Sequence, residues 1–320
     1  MSASSAELDR YLATRRALGF KLARAELLLA QFLRHLQTIG ADTITTENAV
    51  AWASLPADAA SSWWGQRLSV VRAFARHLHA IDPVHEVPPA GLLPARSPRA
   101  VPYLYSDADI AALMAAAREL RSPLRAATFE TLVGLLAVSG LRIGEALRLD
   151  RDDVDLDEGV LRVRQTKFNK SREVPLHLST VNALAAYARR RDELGPRPRD
   201  PSFFVSVAGT RVLYCNAHLG WLDLVRRAGL QPRSTSCRPR PHDLRHSFAV
   251  RTLLGWYRDG VDVEAHLPLL STYLGHVHPA NTYWYLSAAP ELLALVAARL
   301  DPPRDHRHER AGSGHGGLLH

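Results

Sequence analysis

Residues 273–286 read YLGHVHPANTYWYL, and residues 241–249 read PHDLRHSFA. Tyr285 stands nine positions after His276, and His242 and Arg245 are three apart. Positions three apart share a helix face, so His242 and Arg245 project together. A phenol has an ordinary pKa of about 10 and needs cations and a base beside it before it attacks anything. A guanidinium offers parallel donors to phosphate oxygens, and an imidazole can take the phenolic proton or assist its departure. The pattern suits metal-free attack on a phosphodiester, with Tyr285 as nucleophile, Arg245 as clamp, and His242 and His276 as proton and hydrogen-bond partners. Gly275 allows close backbone approach next to His276. His278 is a rival to His276, and Tyr283 and Trp284 in the same segment read as packing residues.

Upstream, SGLRIGEAL (139–147) carries Arg142 at a helix start with Glu145 three residues on. Arg142 is a candidate second clamp, and Glu145 a candidate to orient it without touching substrate. QTKFNKSREVPL (165–176) reads as a hairpin bearing Lys167, with Lys170 close enough to compete for the same role. Each motif alone is weak, since HxxR occurs by chance in many chains. The ordered set Arg142, Lys167, His242, Arg245, His276 and Tyr285 resembles the catalytic domain of the tyrosine recombinases (the phage integrase family) over about residues 103 to 300. The first hundred residues resemble that family's N-terminal DNA-clamping (SAM-like) domain.

The resemblance carries expectations. The LGH pattern at 274–276 selects His276 over His278. Lys167 protonates the departing 5′ oxygen while Tyr285 forms a 3′-phosphotyrosine. A hydroxyl from another strand then reverses the step, so bond energy is conserved and no ATP, metal or other cofactor is expected. The partner is double-stranded DNA, bound by a homotetramer on paired sites that exchanges strands through a Holliday junction, with accessory DNA-binding proteins or a partner recombinase as possible company. Lys170, Arg172, Arg96 and Arg99 are expected DNA contacts. The spacer between Arg245 and His276 is longer than in the Xer-type recombinases, and with the TYWYL ending it points to a mobile-element integrase or transposase rather than a chromosome or plasmid dimer resolvase.

Composition agrees with a polyanionic partner. The chain has 320 residues and a net charge of +8. Residues 162–199 hold ten Lys or Arg against three Asp or Glu, and 226–251 hold seven against one, so the basic excess flanks the candidate site. The acidic run Asp150, Asp152, Asp153, Asp155, Asp157, Glu158 is expected in a solvated turn. Two cysteines fit a reduced compartment and cannot alone make a four-ligand metal site, and the fifteen histidines contain no HExxH spacing, so no metal is expected. No apolar run is long enough to span a membrane, and MSASSAELDR lacks signal character, so a cytoplasmic protein is expected.

The fold class expected is mainly α with a small antiparallel β-sheet. Residues 1–82 form a helical domain, with helices near 5–17, 22–39, 46–54 and 61–80 from three- and four-residue apolar spacing. Leu27, Leu28, Phe32, Leu33 and Leu36 mark one stripe, Thr45 or Thr46 and Ser61 or Ser62 are candidate caps, and one of Trp63 and Trp64 is a core residue. Residues 83–102 hold six prolines with Arg96 and Arg99, and read either as a linker crossing a DNA groove or as a solvated tether. Residues 103–301 form the second domain, with helices near 106–120, 123–139, 179–193, 216–229, 242–258, 263–274 and 290–300 and a hairpin over 160–176. The stripe in PELLALVAARL fits packing on a neighbouring protomer or in its own core. Residues 302–320 are expected to be disordered. Competing readings are a type IB topoisomerase, a non-catalytic DNA-binding regulator, and a metal-dependent transposase or nuclease, whose carboxylates the run at 150–158 places poorly.

Overall fold

The computed structural model describes residues 4–94, 100–164, 171–195, 199–276, 278, 282, 283 and 285. The chain divides into two compact units at Ala100–Val101.

The first unit contains α1 (Ser5–Ala17), α2 (Ala23–Thr38), α3 (Thr46–Ser54) and α4 (Ser61–His79). Leu12, Leu29, Phe32, Leu36, Trp52, Leu68 and Phe74 fill its core. Leu27 does not join them and is 65% exposed. It lies two residues from Leu29, about 200° round the helix, so the stripe passes through Leu28 and Leu29 instead. Thr45 caps α3 in a reciprocal box with Asn48, whereas α4 starts after Ala60 with no side-chain cap. Trp63 packs on the core beneath Arg24, and Trp64 donates its indole N–H to the Pro56 carbonyl at 2.8 Å, so both rings are half-buried.

The proline-rich stretch begins as part of this bundle. His85 is fully buried and accepts the Ile44 N–H at 3.1 Å. Prolines remove N–H donors but keep their carbonyls, and Arg72 uses those of Pro88 and Pro89 at 2.7 and 2.8 Å. Arg96 and Arg99 lie outside the described residues.

The second unit contains α5 (Asp107–Arg118), α6 (Pro123–Ser139), the single turn α7 (Ile143–Ala146), strands β1 (Val154–Asp155), β2 (Val160–Val163) and β3 (Arg172–Pro175), then α8 (Leu178–Leu194), α9 (Tyr214–Arg227), α10 (Pro241–Arg258) and α11 (Val263–Leu274). The sheet is antiparallel in the order β1-β2-β3, with Leu161 opposite both Val154 and Val174. β1 is an addition to the expected hairpin. Residues 165–170, 290–300 and the tail after 302 lie outside the described residues.

Helix α6 is the axis of this unit, packed against α5, α8 and α10. Its buried residues occur in runs, Ala126–Phe129 and Leu135–Ala137, rather than on one stripe. Ser122 caps its start, Pro123 takes the first turn where no N–H is needed, and Gly140 ends it in the left-handed region at φ 60°. A Cβ on Gly140 would lie 2.6 Å from the Phe248 ring and 2.9 Å from Leu274, so only glycine lets α10 and α11 close on this turn.

The acidic run is not a solvated turn throughout. Asp153 is buried and pairs with Arg164 at 2.5 Å, Asp150 pairs with Arg211 at 2.5 Å, and Asp155 with Arg162 at 2.7 Å. Asp152, Asp157 and Glu158 are exposed. Half the run is thus spent on tying β1, β2 and the 199–212 connection together. Among the described residues no helix is long and apolar enough to cross a membrane.

On α9, Gly220 sits so close to α6 that an added Cβ would fall 2.1 Å from Phe129. Gly220→Ala is expected to destabilise the protein by about 1–3 kcal/mol through overpacking, read as a lower urea midpoint with unchanged slope. An unchanged midpoint would show that α9 can shift freely.

Candidate active site

Helix α10 supplies His242 and Arg245 from its first turns. Pro241 opens the helix, and Asp243 caps it by accepting the Arg240 N–H while pairing with the Arg240 guanidinium at 2.8 Å. Burial pushes the Asp243 carboxyl above its usual range, against the pull of Arg240. Ser247 accepts the Tyr105 N–H at 2.7 Å, and the Tyr105 hydroxyl donates to the Arg240 carbonyl at 3.1 Å, anchoring this turn to the start of the unit.

Arg142 is the residue before α7, just past the Gly140 turn. Its backbone N–H donates to Glu145 Oε2 at 3.1 Å and its guanidinium to Glu145 Oε1 at 2.7 Å. Glu145 is 4% exposed and also receives Arg172 at 2.9 and 3.3 Å. Burial works against its charge, but the Arg172 hydrogen bond, the Arg172 and Arg142 charges and the Arg142 N–H prevail and hold the carboxyl at about 2.

These elements meet at the C-terminal end of α11. A helix end leaves carbonyls without partners and carries partial negative charge. Three consecutive carbonyls here each accept from a different arginine: Tyr273 from Arg172 at 2.9 Å, Leu274 from Arg245 at 2.6 Å, and Gly275 from Arg142 at 3.4 Å. Arg245 also donates to the Gly140 carbonyl at 2.8 Å, so it joins the α6 and α11 ends. It is 1% exposed, and burial, then the Arg142 charge, lowers it to about 10. Gly275 turns the chain at φ 67°, and His276 follows.

The aromatic groups form a chain of ring contacts. His242 meets His246 edge-on at 4.8 Å, His246 meets Tyr285 at 5.4 Å, and Tyr285 lies over His276 at 6.0 Å. His276 Nδ1 lies 2.7 Å from the Thr282 hydroxyl. Tyr285 is 2% exposed and packs with Leu253, Leu270 and Leu274, while Tyr283 is exposed. Partial dehydration, then Arg245, Arg142 and Arg240, pushes His242 down to about 4, although the residue is exposed. His276 falls to about 3 through dehydration, Arg245 and Arg142. Both imidazoles are neutral near pH 7, and so can accept a proton or share one.

Arg142, Glu145, His242, Arg245, His276 and Tyr285 are therefore brought together from four separate segments. Lys167 and Lys170 lie outside the described residues, and His278 is exposed. Arg172, expected at the DNA surface, is turned inward with 11% of its side chain exposed. His246 was missed, although its position four residues after His242 places it on the same helix face. Two guanidiniums, two neutral imidazoles and a phenol make a site for an anion that reacts with an oxygen nucleophile.

Comparison with known proteins agrees. The sequence model of the family described as Phage integrase family matches residues 104–291. A putative integrase/recombinase, y4rB of Sinorhizobium fredii, is 46% identical over 307 residues, covering 94% of this chain and 98% of that protein. The tyrosine recombinase XerC of Pseudomonas aeruginosa is 32% identical over 250 residues, covering 78% and 75%. Among solved structures, the Tn1549 transposon integrase in complex with transposon right-end DNA matches with a TM-score of 0.64 over 94% of this chain and 99% of that one, at 17% identity, a likeness of fold.

Proposed function

The chain belongs to the phage integrase family of tyrosine recombinases, and on that premise we propose that it cuts and rejoins double-stranded DNA through a 3′-phosphotyrosyl bond at Tyr285. The observation that carries this reading is the gathering of Arg142 and Arg245 on the carbonyls at the end of α11, beside a Tyr285 ring that meets His276 and His246, with His242 against His246. The Tyr285 oxygen attacks phosphorus, the bond to the 5′ oxygen breaks, and phosphate charge that builds in the transition state is held by Arg142 and Arg245. His242 takes the phenolic proton, His276 donates to a phosphate oxygen, and Lys167 protonates the departing oxygen. Glu145 orients Arg142. Resealing runs the same steps backward, without ATP or metal. Tyr285 and Arg245 are buried, so DNA binding must open a path to them.

Lys170, Arg96 and Arg99 serve as phosphate contacts, the segment up to residue 82 as the clamp domain, and four copies act on paired sites. We assign the activity to a mobile element, on the long spacer after Arg245 and the TYWYL ending. The likeness to XerC favours the second reading, dimer resolution in the cytoplasm. Recombination at the ends of the DNA segment that encodes the chain supports the first, and resolution of plasmid dimers alone the second.

The test is a nicked duplex carrying the flanking DNA, incubated with protein and EDTA and run on a denaturing gel. An adduct whose modified peptide contains Tyr285 supports the reading; an adduct that forms only with added magnesium overturns it. The histidines make a further expectation. With His242 lowered to about 4 and His276 to about 3, the second-order cleavage rate, which reports the free protein, is level from about pH 6 to 8 and falls only below about pH 5, as the imidazoles gain protons. A rate that halves near the ordinary histidine value of about 6.5 would contradict it.

A further inference from the structure

Of the three arginines on the end of α11, Arg172 differs from the other two in having no share in the proposed clamp. It is the first residue of β3, yet its side chain leaves the sheet for α11. Its three nitrogens are all engaged: Nε on the Tyr273 carbonyl at 2.9 Å, and the two terminal nitrogens on the two oxygens of Glu145 at 3.3 and 2.9 Å. Such a fork matches a carboxylate in a way that an ammonium cannot. The guanidinium also fills the space beside Gly275, where a Cβ would lie 2.8 Å from its nitrogen. The next residue is His276. Glu145, in turn, holds the backbone and the guanidinium of Arg142.

We propose that Arg172 is a positioning residue that braces Glu145 and the 273–275 turn together, and so sets both Arg142 and His276 in place for the reaction without itself touching DNA. The inference rests on the recombinase reading of this site. It gives a basic residue at the foot of the Lys167–Lys170 segment a role opposite to phosphate contact. It also makes β3 the strut through which the sheet fixes the end of α11. Removing the fork frees Glu145 to swing, releases Arg142, and leaves the Tyr273 carbonyl without its donor.

The test uses the full chain with Arg172→Lys and Arg172→Met. Three quantities are measured: backbone amide exchange over 272–276, DNA affinity by fluorescence anisotropy, and the single-turnover rate of covalent adduct formation on the nicked duplex. Both variants are expected to exchange about tenfold faster at Gly275 and His276, whose amides bond to Thr272 and Ser271. They should lose roughly 10–100-fold in adduct rate and bind DNA within about twofold of the parent. The lysine variant keeps the charge, so its failure to restore the rate marks geometry rather than field as the cause. Weaker DNA binding with unchanged exchange would make Arg172 a DNA contact and overturn the proposal, as would a lysine variant at parental rate. Should Arg172→Met fail to fold, Arg172→Lys decides alone. If the parent itself forms no adduct, the recombinase reading is what fails, and the exchange measurement still decides whether Arg172 braces the turn.

Discussion

Tyr285→Phe is expected to form no covalent complex with DNA and to bind it as tightly as the parent. The ring is what packs: it sits among Leu253, Leu270 and Leu274 and touches the His246 and His276 rings. Phenylalanine keeps every one of those contacts, so the fold survives the change. The oxygen is the proposed nucleophile, and its charge is felt by Arg245. Without it the proposed nucleophile is gone, and the adduct rate is expected to fall by more than about 10⁴-fold, beyond detection on a denaturing gel. Affinity, set by phosphate contacts elsewhere, stays within about twofold. Tyr283→Phe is the control, because Tyr283 is exposed and its loss should leave the rate alone. An adduct that persists in Tyr285→Phe, or that vanishes in Tyr283→Phe, would reassign the nucleophile.

What could be read from the chain was what depends on near neighbours. The helices of the first unit follow from three- and four-residue spacing, and α1 and α3 begin and end where that spacing places them. His242, Arg245 and His246 are legible because one helical turn puts them together. Partners far apart in sequence were not legible. Arg172 lies in a basic stretch and looked like a phosphate contact, but its carboxylate is 27 residues upstream and its carbonyl 101 downstream. Asp150 looked solvated, but Arg211 reaches it from 61 residues away. Leu27 failed at the level of register, since LLL at 27–29 fits a helix stripe in more than one way. The burial of Tyr285 was not legible at all. A tyrosine beside polar residues can face in or out, and only the closing of α10 and α11 decides it.

Arg245→Lys is expected to lose both the reaction and part of the fold. The guanidinium reaches the Gly140 carbonyl at 2.8 Å and the Leu274 carbonyl at 2.6 Å from one rigid plane. These carbonyls end α6 and α11, so Arg245 is the tie between the turn that presents Arg142 and the turn that presents His276. A lysine is a single point of charge. It can satisfy one carbonyl well, and the other is then buried without a donor, at a cost of about 1–3 kcal/mol. Its ammonium is also more strongly hydrated than a guanidinium and is less suited to a site that is 1% exposed. The chemical loss is larger. In the proposed reaction two parallel donors to one phosphate become one, which by analogy with a lost oxyanion donor lowers the adduct rate by about 10²–10³-fold. The two effects separate by measurement. Thermal unfolding reads the missing carbonyl donor, and the single-turnover rate well below the unfolding temperature reads the missing clamp. A variant with lowered stability and parental rate would leave Arg245 a structural tie only. One with parental stability and a lost rate would mean that the Gly140 and Leu274 carbonyls are satisfied without it. Both are expected to fall, because the same guanidinium joins the helix ends and is the proposed phosphate clamp.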